Sequence, residues 1–230
     1  MEKLETILKY AIIAIIGDSL SAGAGSSLSY ETEEILFEEN GIKYRRLIAP
    51  NGWGSLLEKD LQKKDNNFRV KNRGCCGAYS YQIDKFLDEL VKDEDQLVLV
   101  LMGTNDRKRV DGMNELRVNC DRVIARLRNK GKDVVLLTPN PSVHSNEYRA
   151  NRIYHTEEVV NILRESAKKN KVLLIDNYKY ILDYLKENQL KMEDIMWEDG
   201  CTSDGLHPPD FVQKLVFENV VKELKKQVET

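Results

Sequence analysis

The chain has 230 residues, enough for one domain with a sizeable hydrophobic core. Its 35 basic and 38 acidic side chains give a formal net charge of -3, which argues against a surface that binds nucleic acid or anionic membranes. The first apolar run, residues 11–16, is too short to span a bilayer and lacks the cleavage site of a signal peptide. We therefore expect a cytoplasmic protein with no stable membrane association.

The cysteine pattern agrees with a reducing compartment. Cys75 and Cys76 are neighbours, and Cys120 and Cys201 stand alone, so the spacing typical of zinc or redox sites is absent. We expect reduced and mostly packed thiols. The adjacent pair remains a candidate for oxidation.

Strand and helix signals alternate along the whole chain, which predicts an α/β protein with a parallel sheet. The predicted strands are 11–16, 68–71, 96–102, 133–137 and 172–175. Ser80 and Thr156 are the predicted caps of two of the intervening helices. A final helix is predicted from the spacing of Val212, Val216, Val220, Leu224 and Val228. With no linker or repeat, residues 1–230 are expected to form a single domain.

An insert of about residues 28–50 follows the first strand. Its two β-prone segments, Glu34–Glu38 and Ile42–Arg45, flank Asn40-Gly41, which is a strong hairpin signal. The pattern therefore favours a β-hairpin beside the end of the first strand. A solvated loop with some helix remains the alternative because the segment is rich in glutamate.

Ser19 lies two residues after the glycine that ends the first strand, at the edge where open α/β sheets bind ligands. A serine hydroxyl becomes a nucleophile when a base removes its proton and a third group orients the base. Among the three histidines, His207 follows the acidic residue Asp204 by three positions in a loop that enters the last helix, whereas His144 and His155 have no acidic partner at this motif spacing. Donors for the developing oxyanion are available from the backbone of Gly77 and the carboxamide of Asn105.

Four sequence blocks resemble the signature of the GDSL, or SGNH, hydrolase family. They occur in the family's order and extend from the first strand to the last helix. They are Gly17-Asp18-Ser19-Leu20, Asn72-x-Gly74-x-x-Gly77, Gly103-Thr104-Asn105-Asp106 and Asp204-Gly205-Leu206-His207-Pro208. The resemblance implies a three-layer α/β/α sandwich with a flavodoxin-like five-stranded parallel sheet, and no metal or organic cofactor.

Matched position by position, the resemblance makes Ser19 the nucleophile, His207 the base and Asp204 its orienting partner. The oxyanion donors become Ser19 N–H, Gly77 N–H and Asn105. Asp18 and Asp106 are interpreted as structural acceptors of backbone N–H groups, and Gly74 as a turn residue. Cys76 departs from the small serine that the family often carries before the oxyanion glycine. The insert is longer than the family's usual first connection, so we expect it to narrow or cover the cleft.

The predicted activity is hydrolysis of small carboxylic esters, with short acyl or acetyl groups and carbohydrates among the substrates. Lysophospholipids and acyl thioesters are the alternative substrates within the same family. Two non-catalytic alternatives are a flavodoxin-like ligand-binding module and a nucleotide-binding module. Gly23-Ala24-Gly25 favours the latter only weakly, because the third glycine and a Walker lysine are missing. The expected partner is a small-molecule ester, and the oligomeric state is open.

Overall fold

A five-stranded parallel sheet forms the centre of the computed structural model, which describes residues 10–197 and 204–226. The strands are β1 (Ile12–Gly17), β2 (Tyr30–Glu39), β3 (Ile42–Ile48), β4 (Arg69–Gly74), β5 (Leu97–Leu101), β6 (Asp133–Leu137) and β7 (Leu173–Ile175). The sheet order is β4-β1-β5-β6-β7, with every neighbouring pair parallel. The order reverses at β1, so a crevice is expected at the carboxyl ends of β1 and β5.

Helices cover both faces of this sheet. They are α1 (Ser19–Ala22), α2 (Trp53–Gln62), α3 (Ser80–Lys85), α4 (Leu87–Leu90), α5 (Gly112–Asn129), α6 (His144–Glu147), α7 (Thr156–Asn170), α8 (Asn177–Glu187), α9 (Met192–Met196) and α10 (Asp210–Lys226). Ile13 and Ile15 of β1 pack in the core with α2, α8 and α10, whereas Ala14 and Ile16 pack with α3, α5 and α7. Because both faces of β1 are buried, its sequence is a continuous apolar run. The predicted three-layer sandwich is confirmed.

The insert forms the predicted hairpin. β2 and β3 pair antiparallel as a separate two-stranded sheet. Asn40 and Gly41 have φ angles of 52° and 80°, as a two-residue turn between twisted strands requires. The ring of Phe37 stacks on those of Tyr44 and Phe86 with centroid distances of 4.3 Å in each case. The contact with Phe86, which lies between α3 and α4, packs the hairpin against the helices that follow the Gly77 block.

The predicted cap at Ser80 is wrong by one residue. The residue before α3 is Tyr79, whose N–H is accepted by Gln82 Oε1 at 2.9 Å. The hydroxyl of Ser80 donates instead to the buried carboxylate of Asp106. Because the Ser80 hydroxyl is engaged by the Asp106 carboxylate, it does not cap the free N–H groups at the start of α3. Local sequence does not predict this contact because Asp106 lies 26 residues away.

The predicted cap at Thr156 is wrong for the same reason. His155 precedes α7, and its N–H is accepted by Glu158 Oε2 at 2.7 Å. The Thr156 hydroxyl accepts from Arg107 Nη1 at 2.6 Å, and the Thr156 N–H donates to Glu147 at 2.9 Å. Both hydroxyls therefore join buried polar networks at the carboxyl edge of the sheet.

The last helix runs over Asp210–Lys226 and carries four of the five predicted apolar positions; Val228 lies outside the described residues, as does Cys201. Helices of the described segments all fall short of the length and hydropathy needed to cross a bilayer.

Candidate active site

Ser19 lies in a short helix that begins directly after β1. Asp18 caps this helix by accepting the N–H of Leu20 at 3.0 Å, and Ser19 itself is 6 % exposed. The preceding Gly17 has a φ of +135°, and a Cβ atom there would lie 1.6 Å from the carbonyl oxygen of Leu101. The backbone therefore turns tightly against β5, and only glycine fits at this position.

Two buried carboxylates connect the loops around Ser19, as expected. Asp18 also accepts the N–H of Thr104 at 3.0 Å, which joins the end of β1 to the loop after β5. Asp106 accepts the N–H of Ser80 at 3.0 Å, which joins that loop to α3. Burial raises the pKa of Asp18, and it raises the pKa of Asp106 to about 6 despite the hydrogen bonds from Ser80.

The structure brings Ser19, His207 and Asp204 into one chain of contacts. His207 Nε2 lies 2.9 Å from Ser19 Oγ, and His207 Nδ1 lies 3.2 Å from Asp204 Oδ2. With Nδ1–H donating to the carboxylate, Nε2 is the unprotonated nitrogen and can accept the serine proton. This is the arrangement in which an imidazole removes a proton from a hydroxyl.

The Asp204 loop is folded by its own carboxylate. Asp204 Oδ1 accepts the N–H groups of Leu206 and His207 at 3.0 and 2.9 Å. Burial acts to raise the pKa of Asp204, but the hydrogen bonds from His207 and the other donors hold it well below the ordinary value. Asp204 is therefore ionised over the working pH range of a histidine base.

Gln213, which the sequence patterns did not single out, and Gly25, which they suggested only as part of a nucleotide-binding loop, hold the His207 loop against the Ser19 loop. Gln213 is fully buried, and its Nε2 donates to the carbonyls of Pro208 and Ala24 at 3.1 and 3.3 Å. Its Oε1 accepts the N–H of Trp53 at 3.1 Å. A Cβ atom on Gly25 would lie 2.6 Å from the carbonyl carbon of His207. The sequence signal that could have identified Gln213 is the presence of a glutamine beside Val212 on an apolar helix face.

Two of the three predicted oxyanion donors, Gly77 and Asn105, come from neighbouring loops. Gly77 follows β4 in a left-handed conformation with φ +84°, and Asn105 follows β5. Asn105 Nδ2 donates to the carbonyl of Ala78 at 3.0 Å, which joins the two loops. Within residues 10–197 and 204–226, the N–H groups of Ser19 and Gly77 have no hydrogen-bond acceptor. Both are therefore available to a ligand.

The carboxamide of Asn105 has a defined orientation. Lys108 Nζ donates to Asn105 Oδ1 at 2.7 Å, and the carbonyl of Ala78 accepts from Nδ2. An ammonium group only donates and a carbonyl only accepts, so the two contacts fix which atom is the nitrogen. One Nδ2 hydrogen remains for a further acceptor.

Gly74 and Cys76 differ from expectation. Gly74 is not a turn residue but the last residue of β4, where a Cβ atom would lie 2.3 Å from the backbone nitrogen of Ala22. Its role is close packing of β4 against α1. Cys76 has its pKa raised to about 11, chiefly by burial, so little thiolate forms near neutral pH and rapid oxidation is not expected.

Comparison with known proteins assigns the chain to one family. The model of the GDSL-like lipase/acylhydrolase family matches residues 15–214. The chain belongs to this family. It is therefore a carboxylic ester hydrolase, and the predicted resemblance is confirmed. No curated protein matches the sequence.

Solved structures resemble the chain over nearly its full length. The acetylxylan esterase Axe2 of Geobacillus stearothermophilus aligns with a TM-score of 0.67 and 18% identity over 93% of each chain. A lipase/acylhydrolase of Enterococcus faecalis aligns with a TM-score of 0.66 and 20% identity over 94% of this chain and 96% of its own. The acetyl xylan esterase AlAXEase aligns with a TM-score of 0.67 and 22% identity over 92% and 98%. At these identities the likeness establishes the fold.

Proposed function

We propose that the protein hydrolyses esters of short acyl groups, acetyl esters in particular, through an acyl-enzyme on Ser19. The observation that carries this proposal is the 2.9 Å contact between His207 Nε2 and Ser19 Oγ, with Asp204 on the other ring nitrogen. His207 removes the hydroxyl proton as Oγ attacks the ester carbonyl, and then delivers that proton to the leaving alcohol. Water, activated by the same imidazole, releases the acid.

The oxyanion of each tetrahedral intermediate accepts from three donors in this scheme. They are the N–H groups of Ser19 and Gly77 and the remaining Nδ2 hydrogen of Asn105. Fixed donors of this kind stabilise the transition state without reorganisation during the reaction. The contacts of Asn105 with Ala78 and Lys108 support this assignment because they hold the amide in one orientation.

The preference for short acyl groups is supported by two of the similar structures, which are described as acetyl xylan esterases. Acetylated carbohydrates are accordingly among the proposed substrates.

Reduced thiols at Cys75, Cys76 and Cys120 agree with the proposed cytoplasmic location.

Labelling with a fluorophosphonate tests the nucleophile. Intact-protein and peptide mass spectrometry should find one adduct, on Ser19, and none in Ser19→Ala. Absence of any adduct in the wild type would favour a non-catalytic binding module. Adduct at another serine would replace Ser19 in the mechanism.

A panel of substrates tests the acyl preference. We expect kcat/KM to fall along para-nitrophenyl acetate, butyrate and octanoate, with acetylated xylo-oligosaccharides also cleaved. Preferential turnover of lysophospholipids or acyl-CoA would assign the protein to the lipid or thioester substrates of the same family instead.

A further inference from the structure

Three cationic side chains lie around the proposed site, between Asn105 and Asp204. Lys108 Nζ contacts Asn105 Oδ1 at 2.7 Å, and Arg149 Nη2 donates to the backbone carbonyl of Asp204 at 3.1 Å. Arg152 belongs to the same segment as Arg149, and its N–H donates to the carbonyl of Arg149 at 2.8 Å. This positive group occurs in a chain whose formal net charge is -3.

No described carboxylate lies within ion-pair distance of these three cations. Asp204 and Glu147 act on Arg152 from farther away, as Asp18 and Asp204 act on Lys108. In the part of the chain that the structure describes, Lys108, Arg149 and Arg152 form no ion pair. The carboxylate of Glu147, on the same segment, is taken up by Arg107 at 3.1 Å and by backbone and hydroxyl donors. The carboxylate of Asp204 is held by His207.

Lys108 and Arg152 are half-buried, and their charges act on one another. Arg152 Nε and Nη1 are buried without a hydrogen-bond partner, an arrangement that costs free energy. Burial lowers the pKa of Arg152, and the charges of Arg107 and Arg149 lower it further. Burial, then Arg152 and Arg107, likewise lower the pKa of Lys108. A bound anion would reduce the repulsion among these positive charges.

We propose that Lys108, Arg149 and Arg152 form a subsite for an anionic oxygen group, a carboxylate or a phosphate, on the alcohol portion of the ester. Guanidinium groups match both anions in geometry. The alcohol side is chosen because His207 must reach the leaving oxygen, and Arg149 contacts the loop that carries His207. The inference rests on the proposed function and adds a substrate class to it.

A pair of matched acetyl esters tests the subsite. para-Acetoxybenzoate carries a carboxylate on its alcohol portion, and para-acetoxybenzamide is its neutral counterpart. With rates corrected for spontaneous hydrolysis, we expect the ratio of kcat/KM values to favour the anionic ester by roughly tenfold or more, as hydrogen bonds to charged groups allow. Added salt should reduce the ratio.

Arg152→Gln should reduce this ratio by about tenfold. Arg149→Gln should reduce it less, because the Arg149 side chain is exposed and its charge is screened by solvent. The matched control is Arg117→Gln, which removes an exposed arginine that pairs with Glu165 on α7. Its ratio should equal that of the wild type. A wild-type ratio near unity, or one that Arg152→Gln leaves unchanged, would overturn the subsite while the esterase assignment stands.

Measuring ligand binding to the Ser19→Ala variant tests the anionic subsite independently of turnover. Calorimetric titration with benzoate, phenyl phosphate and neutral benzamide should give tighter binding for at least one anion, and Arg152→Gln should weaken that binding. The two anions distinguish a carboxylate site from a phosphate site. Equal binding of all three compounds would overturn the inference. If the wild type cleaves no ester at all, the proposed function fails and this titration still decides the subsite.

Discussion

His207 Nε2 lies 2.9 Å from Ser19 Oγ, although 188 positions separate the two residues in the chain. The parallel sheet makes this contact because β1 delivers Ser19 to its carboxyl edge, and the loop before α10 returns to the same edge. Every prediction about activity depends on how accurately these two loops meet.

In the proposed mechanism, removing the Asp204 carboxylate should leave Ser19 without a competent base. We expect Asp204→Asn to lower kcat by roughly a thousandfold or more, because the amide favours the wrong histidine tautomer. Steady-state kinetics with para-nitrophenyl acetate provides the measurement. Circular dichroism serves as the check on folding, since Asp204 also shapes its own loop. A correctly folded Asp204→Asn with near-normal kcat would contradict the assigned role.

Asn105→Ala should lower kcat by roughly 10² to 10³, with a much smaller change in KM, because the lost donor acts on the transition state. Asn119→Ala is the matched control: Asn119 is also buried, and its Nδ2 donates to Ser80 Oγ at 3.0 Å. The control should lose stability by a similar amount and keep most of its activity. Equal losses of kcat in both variants would remove Asn105 from the oxyanion site.

Gln213→Leu should uncouple the His207 loop from the Ser19 loop. The change deletes the side-chain hydrogen bonds to Pro208, Ala24 and Trp53 and leaves buried backbone groups unpaired, so we expect about tenfold or greater loss of kcat/KM. Gln62→Leu is the control, because Gln62 makes a comparable bond to the carbonyl of Phe68 at 3.0 Å, near the start of β4 and away from the site. Equal losses of kcat/KM in Gln213→Leu and Gln62→Leu would contradict the special role of Gln213.

The Gly25 contact can be tested with alanine. Gly25→Ala adds a methyl group 2.6 Å from the carbonyl carbon of His207, so it should displace the base and reduce kcat. Gly131→Ala controls for backbone strain, since Gly131 also has a positive φ, +72°, but no atom lies within 4 Å of the place that its new methyl group would occupy. We expect both variants to lose some stability. Only the first should lose most of its activity, as measured at temperatures where both are folded.

Asp106→Asn should change how stability depends on pH. The pKa of Asp106 is about 6 in the folded protein, above its ordinary value, so the folded state binds this proton more tightly. Its contribution is present at low pH and is lost as the pH rises from about 4 through 6. The difference in unfolding free energy between wild type and Asp106→Asn should therefore shift by up to roughly 3 kcal/mol across that range. Urea denaturation at several pH values measures it; a difference independent of pH would contradict the raised pKa.

The sequence predicts β1, β5 and β6 well because these strands are buried on both faces and therefore appear as largely apolar runs. β4 lies at the edge of the sheet and is mostly polar, so its predicted range of 68–71 covers only its first part. Asn40-Gly41 likewise predicts the hairpin, since a two-residue turn needs these residue types locally. The helix starts at Ser80 and Thr156 were predicted less accurately. Their hydroxyls bond to carboxylates that only tertiary structure brings near, so local capping rules could not place them.

The residues that position the candidate site were largely beyond the reach of sequence patterns. Gln213 contacts Ala24 and Trp53, which are more than a hundred residues away in sequence. Nothing local to Arg152 indicates that it lies near Lys108 and Asp204. Gly74 illustrates the same limit. A glycine at the end of a short strand suggests a turn, whereas the structure requires glycine at this position because α1 packs closely against β4.

Gly17 has a consequence for the history of such proteins. Glycine is required at this position because β5 leaves no room for a side chain, and not because of the reaction. Selection for folding alone therefore preserves it. Descendants that exchanged Ser19 and gave up hydrolysis would still keep this glycine. In a distant homologue, an intact Gly-Asp pair is therefore a record of shared architecture, and the residue after it carries the information about chemistry.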